Sequence, residues 1–207
     1  MEKITKGVAN IVVVGIWNKA ILTPEWVKEN LLNEYVSFEV AYPVNGLGSL
    51  KFTTPDFSFL VVDGRLQFEL ERYDSDSMKA LSRTARKIFR LLGHTPISAM
   101  GVNFMYRDSG ADIPSISITD NDRLISILGC SIYSQQYQRV FQFSETERLF
   151  FAITSENSKL TYAFNFDYRL SKVSDLLNIL GDDDDILLQK QEKADSILQA
   201  LISINES

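Results

Sequence analysis

The residue types that most often do chemistry are scarce in this chain. In 207 residues there is one histidine, His94, and one cysteine, Cys130. A zinc site drawn from His and Cys takes three or four ligands, more than one copy of the chain supplies. A Cys–His pair or a Ser–His–Asp triad stays arithmetically open, and both would need His94. That residue follows Gly93 at the end of an expected helix. There an imidazole bonds the last carbonyls and favours the negative end of the helix dipole. Cys130, between Gly129 and Ser131 in an apolar stretch, reads as a small buried hydrophobe.

Carboxylates need no histidine. Asp56, followed by Glu69-Leu70-Glu71, resembles the acid pair with which restriction-endonuclease-like nucleases hold a divalent cation. In that pattern a Lys two residues past the Glu helps to activate water. Here Glu71 stands in its place, with Arg72 one further on. The strand order also lacks the mixed βαβ core of such nucleases, so a metal-dependent nuclease is the remotest reading. Asp182-Asp183-Asp184-Asp185 has neither the alternating ligands nor the central Gly and distal Glu of a calcium loop. It reads as an acidic start to the last helix. Val44 to Ser49 carries two glycines, but no Lys-Ser/Thr follows and no helix opens there. No cofactor or metal motif is recognised.

The strongest positive feature is a basic helix face. Met78, Leu81, Ala85, Ile88, Phe89 and Leu92 fall on one stripe of a helix expected over Asp76–Leu92. Lys79, Arg83, Arg86, Lys87 and Arg90 gather on the other side. Five cations so placed suit phosphates or an acidic partner. The blander reading is a solvated face. A third is neutralisation by the tetra-Asp segment, within one molecule or between two.

The elements that must position these groups are mostly strands. Ala9 to Ile16 is β-branched and apolar on both faces, the pattern of a buried central strand. Thr23-Pro24-Glu25-Trp26 is a strong helix start. Strands are expected at Val36–Val40, Leu50–Thr54, Phe57–Val62 and Leu66–Leu70, with Asp63-Gly64 as a hairpin turn. The second half offers a long strand at Ile97–Tyr106, with Pro114–Thr119 extending or pairing with it. A short helix over Asp120–Gly129 and an ambiguous stretch at 130–138 follow. Strands at Arg139–Ser144, Leu149–Thr154 and Leu160–Tyr168 come next, before a closing helix from about Asp185 to Ile204.

These elements predict an α+β protein, mainly antiparallel sheet with two long amphipathic helices. A first half (1–95) and a second half (96–207) each read strand, helix, strands, helix, packed as one globular unit. The order resembles the saddle of TATA-binding-protein-like folds, a likeness of topology that implies no function. Separately, Thr95-Pro96-Ile97-Ser98-Ala99-Met100-Gly101-Val102-Asn103-Phe104-Met105-Tyr106-Arg107 resembles the Pro…Gly-x-x-aromatic strand of a sporadically distributed bacterial family of uncharacterised proteins. That resemblance implies a bacterial origin and brings no catalytic residues.

Composition sets the remaining bounds. Hydrophobic residues make up 45% of the chain, including 13 Phe and 8 Tyr, ample for a core that offsets the entropy of ordering the backbone. The longest apolar run, Ile11–Ile16, is far short of the roughly 20 residues that span a membrane as a helix. The start, Met1 to Gly7, lacks the pattern of a secretory signal, and a lone cysteine forms no internal disulfide. Both point to the cytoplasm. The net charge of −6 argues against a dedicated nucleic-acid binder. It is unevenly spread: residues 1–95 hold 12 Lys/Arg against 11 Asp/Glu, and residues 96–207 hold 9 against 16. The expected function is that of a non-enzymatic interaction or scaffold protein with a protein partner. Homodimerisation through sheet edges near Val36–Tyr42 or Leu160–Tyr168 is compatible with it. The alternative is nucleic-acid binding through the basic helix or a sheet face.

Overall fold

The computed structural model describes residues 4–43, 49–62, 64–108, 134–156 and 159–205. The strand expected at 114–119, the short helix of 120–129, Cys130 and most of the two-glycine loop lie outside these residues.

The chain is α+β, as its periodicities predict. Among the described residues there are nine strands: β1 (Ile4–Gly15), β2 (Glu39–Ala41), β3 (Lys51–Thr53), β4 (Phe57–Val62), β5 (Arg65–Leu70), β6 (Ile97–Asp108), β7 (Ser134–Gln142), β8 (Glu147–Glu156) and β9 (Lys159–Arg169). They form one antiparallel sheet in the order β2-β3-β4-β5-β1-β6-β9-β8-β7. The α-helices among the described residues are α1 (Pro24–Asn30), α2 (Ser75–Leu91), α3 (Val173–Leu180) and α4 (Ile186–Asn205). None is long and apolar enough to cross a membrane.

Local chemistry starts the helices where the sequence places them. The Thr23 hydroxyl accepts from the Trp26 amide ahead of Pro24 in α1. Asp74 accepts from the Ser77 amide at 2.8 Å and caps α2, satisfying a donor that the first turn leaves open. α2 then buries Met78, Leu81, Ala85, Ile88 and Phe89 against β4 and β5. Each of the larger of these side chains stabilises the fold by roughly 1.5–3 kcal/mol on leaving water, and Ala85 by less. α3 was not anticipated as a separate helix. Its Val173, Leu176 and Leu180 are buried at helical spacing, and the Asp175 carboxylate accepts from the Ser171 and Lys172 amides.

Burial alternates along β6, β8, β9 and the middle of β1 and falls on one face of the sheet. Met100, Val102, Phe104 and Tyr106 of β6 lie beside Tyr162, Phe164, Phe166 and Tyr168 of β9 in the core beneath the helices. The residues between them are only partly buried. This corrects the expectation for β1: it is central in the sheet, but Val8 and Val12 are partly exposed and Val14 is 39% exposed. β-branched residues fit the pleated backbone whether or not a second layer covers them. The strand expected at Val36–Val40 is replaced by a shorter one at Glu39–Ala41; Val36 is fully exposed, while the Phe38 ring still faces Phe52. β9 lies inside the sheet between β6 and β8, so Leu160–Tyr168 is no edge, contrary to expectation. Of the ambiguous stretch at 130–138, residues 134–138 are the start of β7, an edge strand of nine residues among the described residues.

Candidate interaction surfaces

The basic face of α2 meets the acidic segment that follows α3. Arg83 Nε donates to Asp184 Oδ2 at 3.1 Å, and Arg90 Nη2 donates to Asp182 Oδ1 at 2.8 Å. Arg86 Nη1 donates to the Gly181 carbonyl at 2.9 Å. Its Nη2 stands 2.7 Å from Asp184 Oδ1, an ion pair without an aligned hydrogen bond. The Arg86 and Asp184 side chains are only 13% and 14% exposed. Lys87 donates to the Asn33 side-chain oxygen. The segment reaches α2 through two left-handed residues, Gly181 (φ +65°) and Asp184 (φ +58°). Gly181 combines that φ with ψ −175°, a region essentially reserved for glycine. Three of the five cations, Arg83, Arg86 and Arg90, therefore have carboxylate partners within the chain.

The nuclease-like acids do not converge. Asp56 is held on the helix side: it accepts from the Tyr35 hydroxyl (2.8 Å) and from Ser77 Oγ of α2 (3.1 Å), and pairs with Arg72 (3.0 Å). Burial and the Asp56 carboxylate raise the Tyr35 hydroxyl above the usual phenol range. Glu69, one position from the buried Phe68, projects to the opposite face of β5. Among the described residues no group of three or more His, Cys, Asp or Glu is placed to hold a metal. His94 is exposed in the turn after α2. A second polar cluster lies at α4, where the exposed Lys6 pairs with the partly exposed Asp195 at 3.7 Å and sits over the Tyr73 ring. The Tyr73 and Tyr106 hydroxyls are buried without aligned partners. Burial first, and then the Asp195 carboxylate, raise both above the usual phenol range.

The helix-free face of the sheet was not singled out by the sequence. Register carries Glu69, Asn10, Asn103, Asn165 and Phe150 into one row across five strands. Asn103 Nδ2 donates to Asn10 Oδ1 at 2.7 Å. Asn165 Oδ1 is buried with no partner. Gly101 makes room for this carboxamide, since a Cβ there would sit 3.1 Å from Asn165 Oδ1 and 3.4 Å from Asn103 Nδ2. Ala152 and Ala163, with Val8, Met105 and Phe150, complete the lining of a shallow cavity of about 230 Å³ over the row. Arg148, paired with Asp167 at 2.8 Å and lying against the Phe150 ring, closes one flank. The surface is thus small side chains and carboxamides beside an aromatic plate, in a chain that is acidic elsewhere. Neighbouring Asn residues on three different strands become visible only once the register is known.

Comparison with known proteins adds no family: no family model matches the chain, and no curated protein resembles it in sequence.

Proposed function

We propose that this chain is a non-enzymatic protein-interaction module of a bacterial-type cytoplasm, and that its binding surface is the helix-free face of the sheet. The observation that carries the reading is the row Asn10–Asn103–Asn165 beside Phe150, with a buried carboxamide oxygen left unpaired. A buried acceptor without a partner is an expensive feature, costing about 1–3 kcal/mol. A ligand that donates an N–H to it, once the Asn165 amide turns toward the cavity that it lines, removes that cost. Carboxamides both donate and accept, and a peptide backbone offers the matching groups. The chemistry fits an extended segment of a partner protein laid across the strands, an apolar side chain against Phe150.

The strand order supports the two-half reading as well. β1 and β6 lie side by side, and the sheet runs outward through β5, β4 and β3 on one side and β9, β8 and β7 on the other. Nucleic-acid binding by α2 is the weaker reading, because Arg83, Arg86 and Arg90 already meet Asp182 and Asp184.

Affinity purification from the native cells discriminates the two. A partner held by the wild type and by Lys79→Glu is expected to be lost with Phe150→Ala and with Asn103→Asp. Retention by both sheet-face variants, with loss in Lys79→Glu, would overturn the proposal in favour of the helix.

A further inference from the structure

The two ends of the sheet differ in a way that bears on self-association. β2 is three residues long, a length that offers little to pair with. β7 is nine residues, Ser134 to Gln142, with no proline and Arg139 as its one charged residue. Its register with β8 runs without a shift from Ser134↔Glu156 to Gln142↔Arg148, so no bulge twists the edge away. Of the usual protections of an exposed edge strand, shortness, Pro and a bulge are missing, and a single inward-facing cation, Arg139, remains. Among the described residues, nothing pairs with its outer side.

The hydrogen-bond parity of the sheet fixes which groups face outward. Phe143 N donates to Glu147 O at 2.9 Å, and Arg169 N donates to Thr146 O at 2.8 Å. In β8 the odd residues therefore bond toward β7 and the even ones toward β9. In β7 the odd residues are satisfied by β8, because hydrogen-bonded pairs alternate along an antiparallel ladder. Ser134, Gln136, Gln138, Val140 and Gln142 turn their N–H and C=O groups to the open side. The middle one is Gln138.

We infer that a second copy of this chain pairs antiparallel along β7, with the two-fold axis at Gln138. Only that register engages every outward group at once: Ser134 opposite Gln142, Gln136 opposite Val140, and Gln138 opposite its own copy. An antiparallel pair is isologous, as a closed dimer requires. Side chains agree with the register. Arg139, whose guanidinium already stands 5.0 Å from the Tyr137 ring, comes opposite the second copy's Tyr137 and not opposite another Arg139. Cations over aromatic faces attract, whereas like charges directly opposed repel. Val140 and Phe141, 52% and 43% exposed in one copy, are covered by the neighbour's Gln136 and Gln135. The helix layer leaves room, since Arg139 and Phe141 are exposed although their side chains lie on the helix side.

The dimer goes beyond the partner-binding reading and is tested apart from it, because Gln138 lies outside the Asn row. Multi-angle light scattering across roughly 1–100 µM is expected to show the wild type passing to a dimer, in the range where edge pairing of this length associates. Gln138 faces itself only in the proposed register. Gln138→Lys and Gln138→Glu should each weaken association by roughly tenfold or more, because like charges then oppose across the axis. Mixed in equal amounts, the two variants should restore a dimer containing one of each, which also shows that both are folded. A wild type that stays monomeric throughout, a dimer indifferent to either substitution, or a mixture that fails to associate would each overturn the proposal.

Discussion

Single side chains in this molecule carry opposite liabilities, and the unpaired carboxamide of Asn165 is the clearest case. A buried acceptor without a donor lowers stability, so Asn165→Val is expected to raise the urea midpoint by the equivalent of about 1 kcal/mol while weakening partner capture. A loss of stability instead would mean that the amide is structural, and the sheet-face reading would fail with it. The tyrosines work through pH. Burial raises the hydroxyls of Tyr35, Tyr73, Tyr106 and Tyr168 above the usual phenol value of about 10. The unfolded chain then releases those protons near pH 10 while the folded chain keeps them. Their contribution is fully present below about pH 10 and is lost as pH rises toward the folded values. Absorbance at 295 nm should show these phenols ionising together with alkaline unfolding. The same four tyrosines titrating reversibly near pH 10 in the native protein would contradict the burial. None of this was legible in sequence. The residue types were visible, but an orphaned oxygen or a desolvated phenol depends on neighbours from other strands and helices, 21 positions away for Tyr35 and Asp56 and far more for Tyr73 and Asp195.

At the scale of elements, what the sequence made plain was whatever rests on local chemistry. α2 starts at Ser75 behind Asp74 and ends at Leu91 before Gly93, within a residue of the span its apolar stripe and caps predict. β8 and β9 run one or two residues beyond the expected bounds at each end. The tetra-Asp segment was less transparent. A helix-start role is a local reading, whereas the contact with α2 spans about a hundred residues. That contact supplies a prediction. Asp184→Asn keeps a residue that tolerates the left-handed backbone but leaves Arg86 with the Gly181 carbonyl and the exposed Asp182. It should cost about 2–3 kcal/mol, toward the lower end for a largely buried pair losing one partner. Arg86→Met in the same chain should recover part of that loss, since replacing both members of such a pair by uncharged groups is often neutral. Simple additivity in the double-mutant cycle would show that the two residues are not coupled.

For the whole molecule the decisive junction is β1 against β6. These strands share the longest register in the first half's connections, from Ile4↔Asp108 to Gly15↔Ile97, interrupted only by irregularities near Lys6–Ala9 and Val14–Gly15. The sequence suggested two halves from the order of elements. It allowed their sheets to join edge to edge but left open whether they share one continuous sheet, because pairing between segments ninety residues apart leaves no local signature. The hydrophobic cluster is likewise continuous from Val13 and Phe68 to Phe166 and Leu198. A half cut from this sheet would expose the hydrogen-bonding edge of β1 or of β6, an edge long enough to recruit other chains. Unfolding should therefore be a single cooperative event. In native-state hydrogen exchange, amides of β1, β5, β6 and β9 are expected to share one opening free energy equal to that of global unfolding, while β2 and the ends of β7 open more easily. Protection that persists in β1 and β5 under denaturant after β6 and β9 have exchanged would show two independent units. The continuous sheet would then be an assembly of halves and not the folding unit itself.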